Sequence, residues 1–247
     1  MTAIDLNADV GEGSACDIEL LSIVSSCNIA CGGHAGDATS MAETIRTAIA
    51  NSVAIGAHPS YPDREGFGRR SGYASGDALV ESLHEQITAL RTVAHAHGTE
   101  LTHVKPHGAL YNDAAADRTL AELVVQVVAR VHSGVALVGP PGSELAAAAS
   151  DCDVPYVAEA FVDRAYRIDG SLVPRSEPGA VHGDIKNITA QAVSLAMRGQ
   201  LVCQSGELIA IVADTLCIHG DTDGAADIAR AVVAVLRENG VAIHAAT

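Results

Sequence analysis

The sequence predicts an α/β fold in which residues 1–247 form a single (β/α)-barrel domain of about seven parallel strands. Three observations predict it. Short apolar runs alternate with segments of helical periodicity along the chain, the order expected of repeated β-α units. Most of those runs are continuously apolar, as strands are when both faces are covered. Polar residues gather just after the runs: Asp9, His34, His58, Lys105, His107, Glu159, His219 and Asp221. In a closed barrel the C-terminal strand ends share one rim, so this grouping points to a single site.

Residues 4–8 read as the first strand, followed by a polar loop carrying Gly11-Glu12-Gly13. Residues 17–25 read as a short helix and 27–31 as the second strand. Asp37 or Thr39 is placed to cap a helix reaching about residue 51, with Met41, Ile45, Ala48 and Ile49 on one face. The third strand, 53–57, delivers His58, and a long loop over 64–75 follows; loops of that length in compact domains are often functional. A helix over 77–97 stops at Gly98, and 101–105 is the fourth strand. Pro106 has no backbone N–H and disfavours helix at the residue before it. His103 and His107 are therefore not expected as an i,i+4 pair on one helix, and residues 106–112 are expected to turn outward from the strand end. A helix around 120–127, strands at 135–138 and 154–158, a helix around 188–198, a strand at 215–218 and a final helix lined by Ile228, Val232, Val235 and Leu236 complete the order. Asp169-Gly170 and Ser205-Gly206 each signal a hairpin between flanking apolar runs.

The chain is 48% hydrophobic but only 3% aromatic, with no Trp, so its core must be built from Ala, Val, Leu and Ile. Lys and Arg number 15 against 30 Asp and Glu, a net charge of −15. That balance argues against nucleic acid or an anionic membrane as partner, and it requires any anionic substrate to be met by local arginines. The first residues, Met1-Thr2-Ala3-Ile4-Asp5, show neither a basic nor an apolar leader pattern, and no apolar run is long enough to span a membrane. Six cysteines show no C-x2-C pair and mostly lie in apolar runs, which suits a reducing cytoplasm.

The residue chemistry narrows the rim. Gly139-Pro140-Pro141-Gly142 is followed by Ser and Glu without Lys, so no phosphate-cradling loop of the G-x-x-x-x-G-K-[ST] type is present. No G-x-S-x-G elbow and no neighbouring Cys–His pair appear. Acid–base or metal chemistry remains. Asp9, with His34 or His58, is placed to activate water. Lys105, one of only two lysines, is placed to stabilise an oxyanion, and Arg69, Arg70, Arg164 and Arg175 to clamp a carboxylate or phosphate. Plainer roles stand beside these: acids that tie turns, histidines bonded to backbone, arginines paired with acidic neighbours. A metal would need an oxygen ligand with two imidazoles, for which Asp9, His34 and His58 are the candidates. Pro106 spoils the turn that would bring His103 and His107 together, and no residue is assigned as a metal ligand. His84, His95, His97, His132, His182 and His244 are not assigned to the site.

Taken in order, the motifs resemble one family. They are Asp5-Leu6-Asn7-Ala8-Asp9-Val10-Gly11-Glu12, Asn28-Ile29-Ala30-Cys31-Gly32-Gly33-His34-Ala35-Gly36-Asp37, Gly56-Ala57-His58-Pro59-Ser60-Tyr61-Pro62-Asp63, Gly66-Phe67-Gly68-Arg69-Arg70, His103-Val104-Lys105-Pro106-His107-Gly108-Ala109-Leu110-Tyr111-Asn112, Asp163-Arg164-Ala165-Tyr166, residues 172–179 and His219-Gly220-Asp221. Together they resemble the LamB/YcsF family, described as one of the three subunits of bacterial 5-oxoprolinase, over nearly the whole chain. The resemblance implies a seven-stranded barrel like that of glycoside hydrolases and deacetylases. It implies ATP-dependent opening of the lactam 5-oxo-L-proline to L-glutamate, with ATP as cofactor, room for a divalent cation and two other 5-oxoprolinase subunits as partners. On that reading Asp9, His34, His58, Lys105 and His107 are the catalytic candidates. Asn7, Arg69, Arg70, Tyr111, Asn112 and Arg175 are the substrate-binding ones. A stand-alone metal-dependent deacetylase or amidase, and a non-catalytic regulatory subunit of a lactam-utilising complex, stay open. The chain departs from the family pattern at Gly33, where a bulky apolar residue is usual, at Ser60, where Gly is common, and in a shorter loop after Gly13.

Overall fold

Along the first strand, β1 (Ala3–Val10), every second side chain is polar. Ile4, Leu6, Ala8 and Val10 join the main hydrophobic core, whereas Asp5, Asn7 and Asp9 are buried among polar partners. Successive side chains of a strand point to opposite faces, so one face packs on helices and the other fills the barrel interior. The computed structural model describes residues 2–131, 134–220, 222 and 224–247. After β1 come α1 (Asp17–Leu20), β2 (Ser26–Ala30), α2 (Ala38–Ala50), β3 (Ala54–His58), α3 (Gly76–Ala96) and β4 (His103–Val104). They are followed by α4 (Gly108–Ala116), α5 (Arg118–Ala129), β5 (Ala136–Gly139), α6 (Glu144–Asp151), β6 (Tyr156–Phe161) and α7 (Ile185–Arg198). The chain ends with β7 (Gln200–Val202), β8 (Leu208–Ala210), β9 (Thr215–Ile218), α8 (Ala225–Glu238) and β10 (Ala242–Ile243).

Seven strands close a parallel ring in the order β1-β2-β3-β4-β5-β6-β9, and β9 returns to β1 with Asn7 opposite Cys217. The expected seven-stranded barrel is therefore the observed one. β7 and β8 form the antiparallel hairpin signalled by Ser205-Gly206, outside the ring. The Asp169-Gly170 hairpin is reduced to a single Tyr166–Leu172 bridge. β10 extends the sheet beside the start of β1 and is too short to be read from periodicity. The fourth strand is only two residues long, because Pro106 ends the ladder. Residues 106–112 do not stay a loop: His107 caps α4, which starts at Gly108 with φ 58°. The short helix expected over 17–25 ends at Leu20, and the turns beyond it place Ser25 Oγ against Asp5. Asp37, not Thr39, caps α2.

The interior carries a hydrogen-bonded polar column. At its base, Ser25, Ser26 and Thr215 hydroxyls all donate to Asp5, whose pKa is nonetheless raised by burial. Above it, Asn7 Nδ2 donates to Glu159 Oε1 (2.9 Å) and Thr215 Oγ1 (2.8 Å), and Asn28 Nδ2 donates to Asn7 Oδ1 and Asp9 Oδ1 (both 2.8 Å). His103 lies in this column, not on the rim: its Nε2 donates to Asn28 Oδ1 at 2.9 Å. Burial and the charge of Lys105 push its pKa down to about 3, so it is a neutral structural imidazole. Gly56 makes room for that ring, since a Cβ there would collide with His103. Gly56→Ala should therefore destabilise the fold by about 2 kcal/mol through overpacking. The double variant with His103→Ala should lose clearly less than the sum of the two single losses, because the clash disappears with the ring. Urea unfolding of the three variants reads this, and strict additivity would refute the assigned packing.

Candidate functional site

Above the column, the C-terminal rim gathers charge around Lys105. Its Nζ lies 2.9 Å from Asp9 Oδ1 and 2.8 Å from Glu159 Oε1, and donates to Cys217 Sγ at 3.1 Å. The ammonium is 2% exposed. Burial alone would lower its pKa, but Asp9 above all, with Glu159, raises it well above the usual lysine value. Burial likewise opposes ionisation of Asp9, yet His58 and Lys105 hold its carboxyl well below the usual range. Tyr111 Oη and Glu159 Oε2 are buried and make no hydrogen bond of good geometry. Burial, then the Glu159 charge, pushes the Tyr111 phenol up.

Beside this pair lies a cluster of three imidazoles and a carboxylate. His58 Nδ1 meets the Lys105 carbonyl at 2.8 Å and His107 Nε2 meets the Phe67 carbonyl at 3.0 Å. Carbonyl oxygens only accept, so both nitrogens carry the proton. That leaves the lone pairs of His58 Nε2 and His107 Nδ1 facing each other at 2.9 Å. Glu12 Oε1 sits 2.9 Å from His34 Nε2, 3.4 Å from His107 Nδ1 and 3.9 Å from His58 Nε2. Two facing lone pairs beside a carboxylate require a shared proton or a cation between them. One ligand atom from each of Glu12, His34, His58 and His107 lies within 4.8 Å of the others, so the group fits a divalent metal, with both carbonyls orienting its imidazoles. Burial, then the charge of His58, holds His107 well below the usual histidine value, and burial also lowers His34. Both rings are thus kept as neutral ligands or bases at pH 7. This donor set differs from the expected Asp9, His34 and His58: Glu12 replaces Asp9, which Lys105 and Asn28 engage, and His107 joins from the head of α4. No metal ligand is assigned from the sequence; the structure adds this candidate group, because Pro106 separates His107 from His103 but not from His58.

The long loop over 64–75 covers the cluster. Phe67 takes φ 54°, a left-handed conformation rare for an aromatic residue, and so aims its carbonyl at His107. His34 and His107 stack at 3.6 Å, and Gly68 passes so close that a Cβ would press on the His107 ring and on the Cβ of His34. Glu12 stands between Gly11 and Gly13, both at positive φ, with Asp17 Oδ2 accepting the Gly11 N–H at 2.9 Å. The sequence marks Glu12 only as a carboxylate in a glycine-flanked turn after a strand end, which does not say where the side chain points. The departures at Gly33 and Ser60 prove to be neighbours: a side chain at Gly33 would strike Ser60 Oγ and Gln86. Gln86 fills that space and exchanges hydrogen bonds with the Ser60 backbone.

The rim opens into a cavity of about 630 Å³. Asp9, His58, Lys105, His107, Arg69, Tyr111, Asn112 and Arg175 all line it. His34 lies behind His107 in the cluster, and Asn7 lies one level down in the polar column. Arg70 stays outside, exposed and 3.6 Å from Asp63. His219 also lines the cavity, its Nδ1 2.9 Å from Asp163 Oδ2 and its ring stacked on Phe161. Burial opposes ionisation of Asp163, but His219 holds its pKa low. Asp221, expected on the rim, and His132 lie outside the described residues.

Comparison with known proteins places the chain in a family. The LamB/YcsF family model matches residues 4–247. The lactam utilization protein from Thermus thermophilus is 40% identical, with a TM-score of 0.92 over 98% of this chain and 99% of that one. A putative cellobiose-phosphate cleavage protein from Enterococcus faecalis (13% identity, TM-score 0.57, 99% and 97% covered) shares the fold. So does a family 4 carbohydrate esterase from Streptomyces lividans in complex with acetate (11%, 0.53, 98% and 91%). At such low identity these last two speak for the barrel alone. The match over nearly all of its length shows that the chain belongs to the LamB/YcsF family.

Proposed function

We propose that this chain opens the C–N bond of a cyclic amide, 5-oxo-L-proline, to give L-glutamate in the rim cavity, as one of three subunits whose assembly brings ATP to the reaction. The observation that carries the reading is the contact of His58 Nε2 with His107 Nδ1 at 2.9 Å in the cavity floor, beside the Glu12 carboxylate. Membership of the family and the lactam utilization relative support the substrate class. Tyr111 and Glu159, which interact with each other in the cavity, would offer the lactam a donor for its oxygen and an acceptor for its N–H. His58 or His107 takes a proton from the attacking water, and the ring nitrogen leaves as an amine after gaining one. Asp9, a weak base at its lowered pKa, holds Lys105 and His58 in place. Lys105 spends its N–H groups on Asp9, Glu159 and Cys217, so it acts on the substrate through its field, not through a direct bond.

An unstrained lactam carbonyl is a poor electrophile, which is why ATP enters the reading. The chain has no glycine-rich loop with a lysine to cradle phosphates, so its residues do not by themselves fit a nucleotide, and phosphoryl transfer is assigned to the assembled complex. A second reading, metal-dependent amide hydrolysis, is favoured by the same cluster: Glu12, His34, His58 and His107 would hold a divalent cation, which would polarise the carbonyl.

The isolated chain should release no glutamate from 5-oxo-L-proline with ATP and magnesium, whereas adding the two partner subunits should yield glutamate and ADP in fixed ratio. ATP-independent activity that a chelator removes would transfer the case to the metal reading. For the cluster itself, the purified protein dialysed against zinc should retain one equivalent at pH 8 and lose it as pH falls and the imidazoles protonate. Glu12→Gln should retain clearly less, and equal metal content in both proteins would sink the donor set. Lys105→Met leaves two buried carboxylates without their cation, so it should cost about 3–5 kcal/mol of stability as well as turnover. Lys186→Met, at an exposed position in α7, should change neither thermal unfolding nor rate.

A further inference from the structure

Arg164 is unlike the chain's surface arginines. Arg118, Arg167 and Arg230 are about half exposed or less and each pairs with acidic neighbours. Arg164 is 6% exposed, yet no carboxylate among the described residues forms an ion pair with it. Its adjacent acid, Asp163, is committed to His219. The segment after β6 grips one edge of the guanidinium: Nε donates to the Ala180 carbonyl at 3.2 Å and Nη2 to that of Val173 at 2.6 Å. Nη1 has no hydrogen-bond partner among the described residues, and the residue lines the cavity. A guanidinium keeps its charge at any physiological pH, so burial cannot be relieved by losing a proton, as it can for lysine or histidine. Among the described residues only the charge of the adjacent Asp163 and the Tyr166 phenol act favourably on it, so a direct ionic partner would enter through the cavity that it lines.

We propose that Arg164 is the receptor for an oxyanion of the substrate, so that the cavity selects small cyclic amides bearing a carboxylate over neutral lactams. The cyclic-amide part rests on the function proposed above; the anion receptor does not. The end of the guanidinium carrying Nη1 and the second Nη2 N–H matches the two oxygens of one carboxylate. Arg69 and Arg175 line the same cavity. Burial, then the charge of Arg175, lowers the Arg164 pKa, consistent with a cationic wall. Phosphate oxygens share the required chemistry, and the experiment separates them.

The test is calorimetric titration of the purified chain with 5-oxo-L-proline, 2-pyrrolidinone (the same ring without the carboxylate), glutarate and inorganic phosphate. The wild type should bind 5-oxo-L-proline at least about tenfold more tightly than 2-pyrrolidinone, equivalent to one well-made charged contact. Arg164→Gln should abolish that preference, Arg164→Lys should restore only part of it, and Arg70→Gln should leave it intact. Should the Gln variant unfold, the folded Lys variant still reads the loss of the two-pronged contact. Full preference in the Arg164 variants, or no measurable anion binding by the wild type, overturns the proposal. An Arg164-dependent preference for phosphate over every carboxylate overturns the carboxylate assignment. Arg164-dependent binding of glutarate as tight as that of 5-oxo-L-proline upholds the receptor and refutes the lactam reading.

Discussion

The ammonium of Lys105, buried between Asp9 and Glu159, is the constraint on which the rest of the rim depends. A charge so placed is tolerated only when its partners are fixed, and the fold fixes them from three strands. β1 supplies Asp9, β6 supplies Glu159, and the end of β4 supplies Lys105, whose backbone N–H remains tied to Ala57 of β3. Asn28 and Asn7 then donate to the same Asp9 and Glu159 oxygens that Lys105 meets. Each side chain in the column is held by another in the layer beneath it, down to Asp5 at the base. Removal of any one member would leave a buried donor or acceptor unpaired, so the column rigidifies the floor on which the imidazoles stand.

The fold class was legible because helices and strands differ in period, and because a parallel barrel hides both faces of most of its strands. The rim was legible because polar residues follow strand ends. The interior was harder to read. The polar face of β1 is written plainly as Asp5, Asn7 and Asp9 between Leu6, Ala8 and Val10, but this alternation means solvent in an open sheet and a polar lumen in a closed one. The choice depends on ring closure, a long-range property. The same applies to His103: it shares an inward face with Lys105 two residues on, yet only the missing side chain at Gly56 of the neighbouring strand shows where its ring can lie. Glu12 was hidden for another reason. It stands in a turn whose direction is set by two glycines at positive φ, and composition alone does not say where such a turn aims its acid.

The loop over 64–75 shows how local strain serves a remote atom. Phe67 holds an unfavourable backbone conformation, offset by its packing on His34 and His107 and by the Gly68 and Ala109 backbone bond. The return is a carbonyl fixed against His107 Nε2. That contact selects the tautomer, and the tautomer is what bares the Nδ1 lone pair toward His58. A loop far from the barrel core in sequence thus sets the proton inventory of the cluster. The buried Gln86–Ser60 exchange supports the same wall from behind, in the space that a side chain at Gly33 would occupy.

Charge is distributed unevenly through this acidic chain. The cavity floor holds its acids in pairs with Lys105 and the histidines, while Arg69, Arg164 and Arg175 stand on the wall. In a protein of net charge −15, an anion approaching at random is repelled, so the arginine wall has to work at short range, inside the cavity where screening is weak. A neutral amide gains nothing from that wall and an anion gains nothing from the floor. Only a ligand that carries both, with its negative group remote from a polarisable carbonyl, satisfies each end at once. The two ends therefore fix orientation as well as selection, since a reversed ligand would set its anion against Asp9, Glu12 and Glu159.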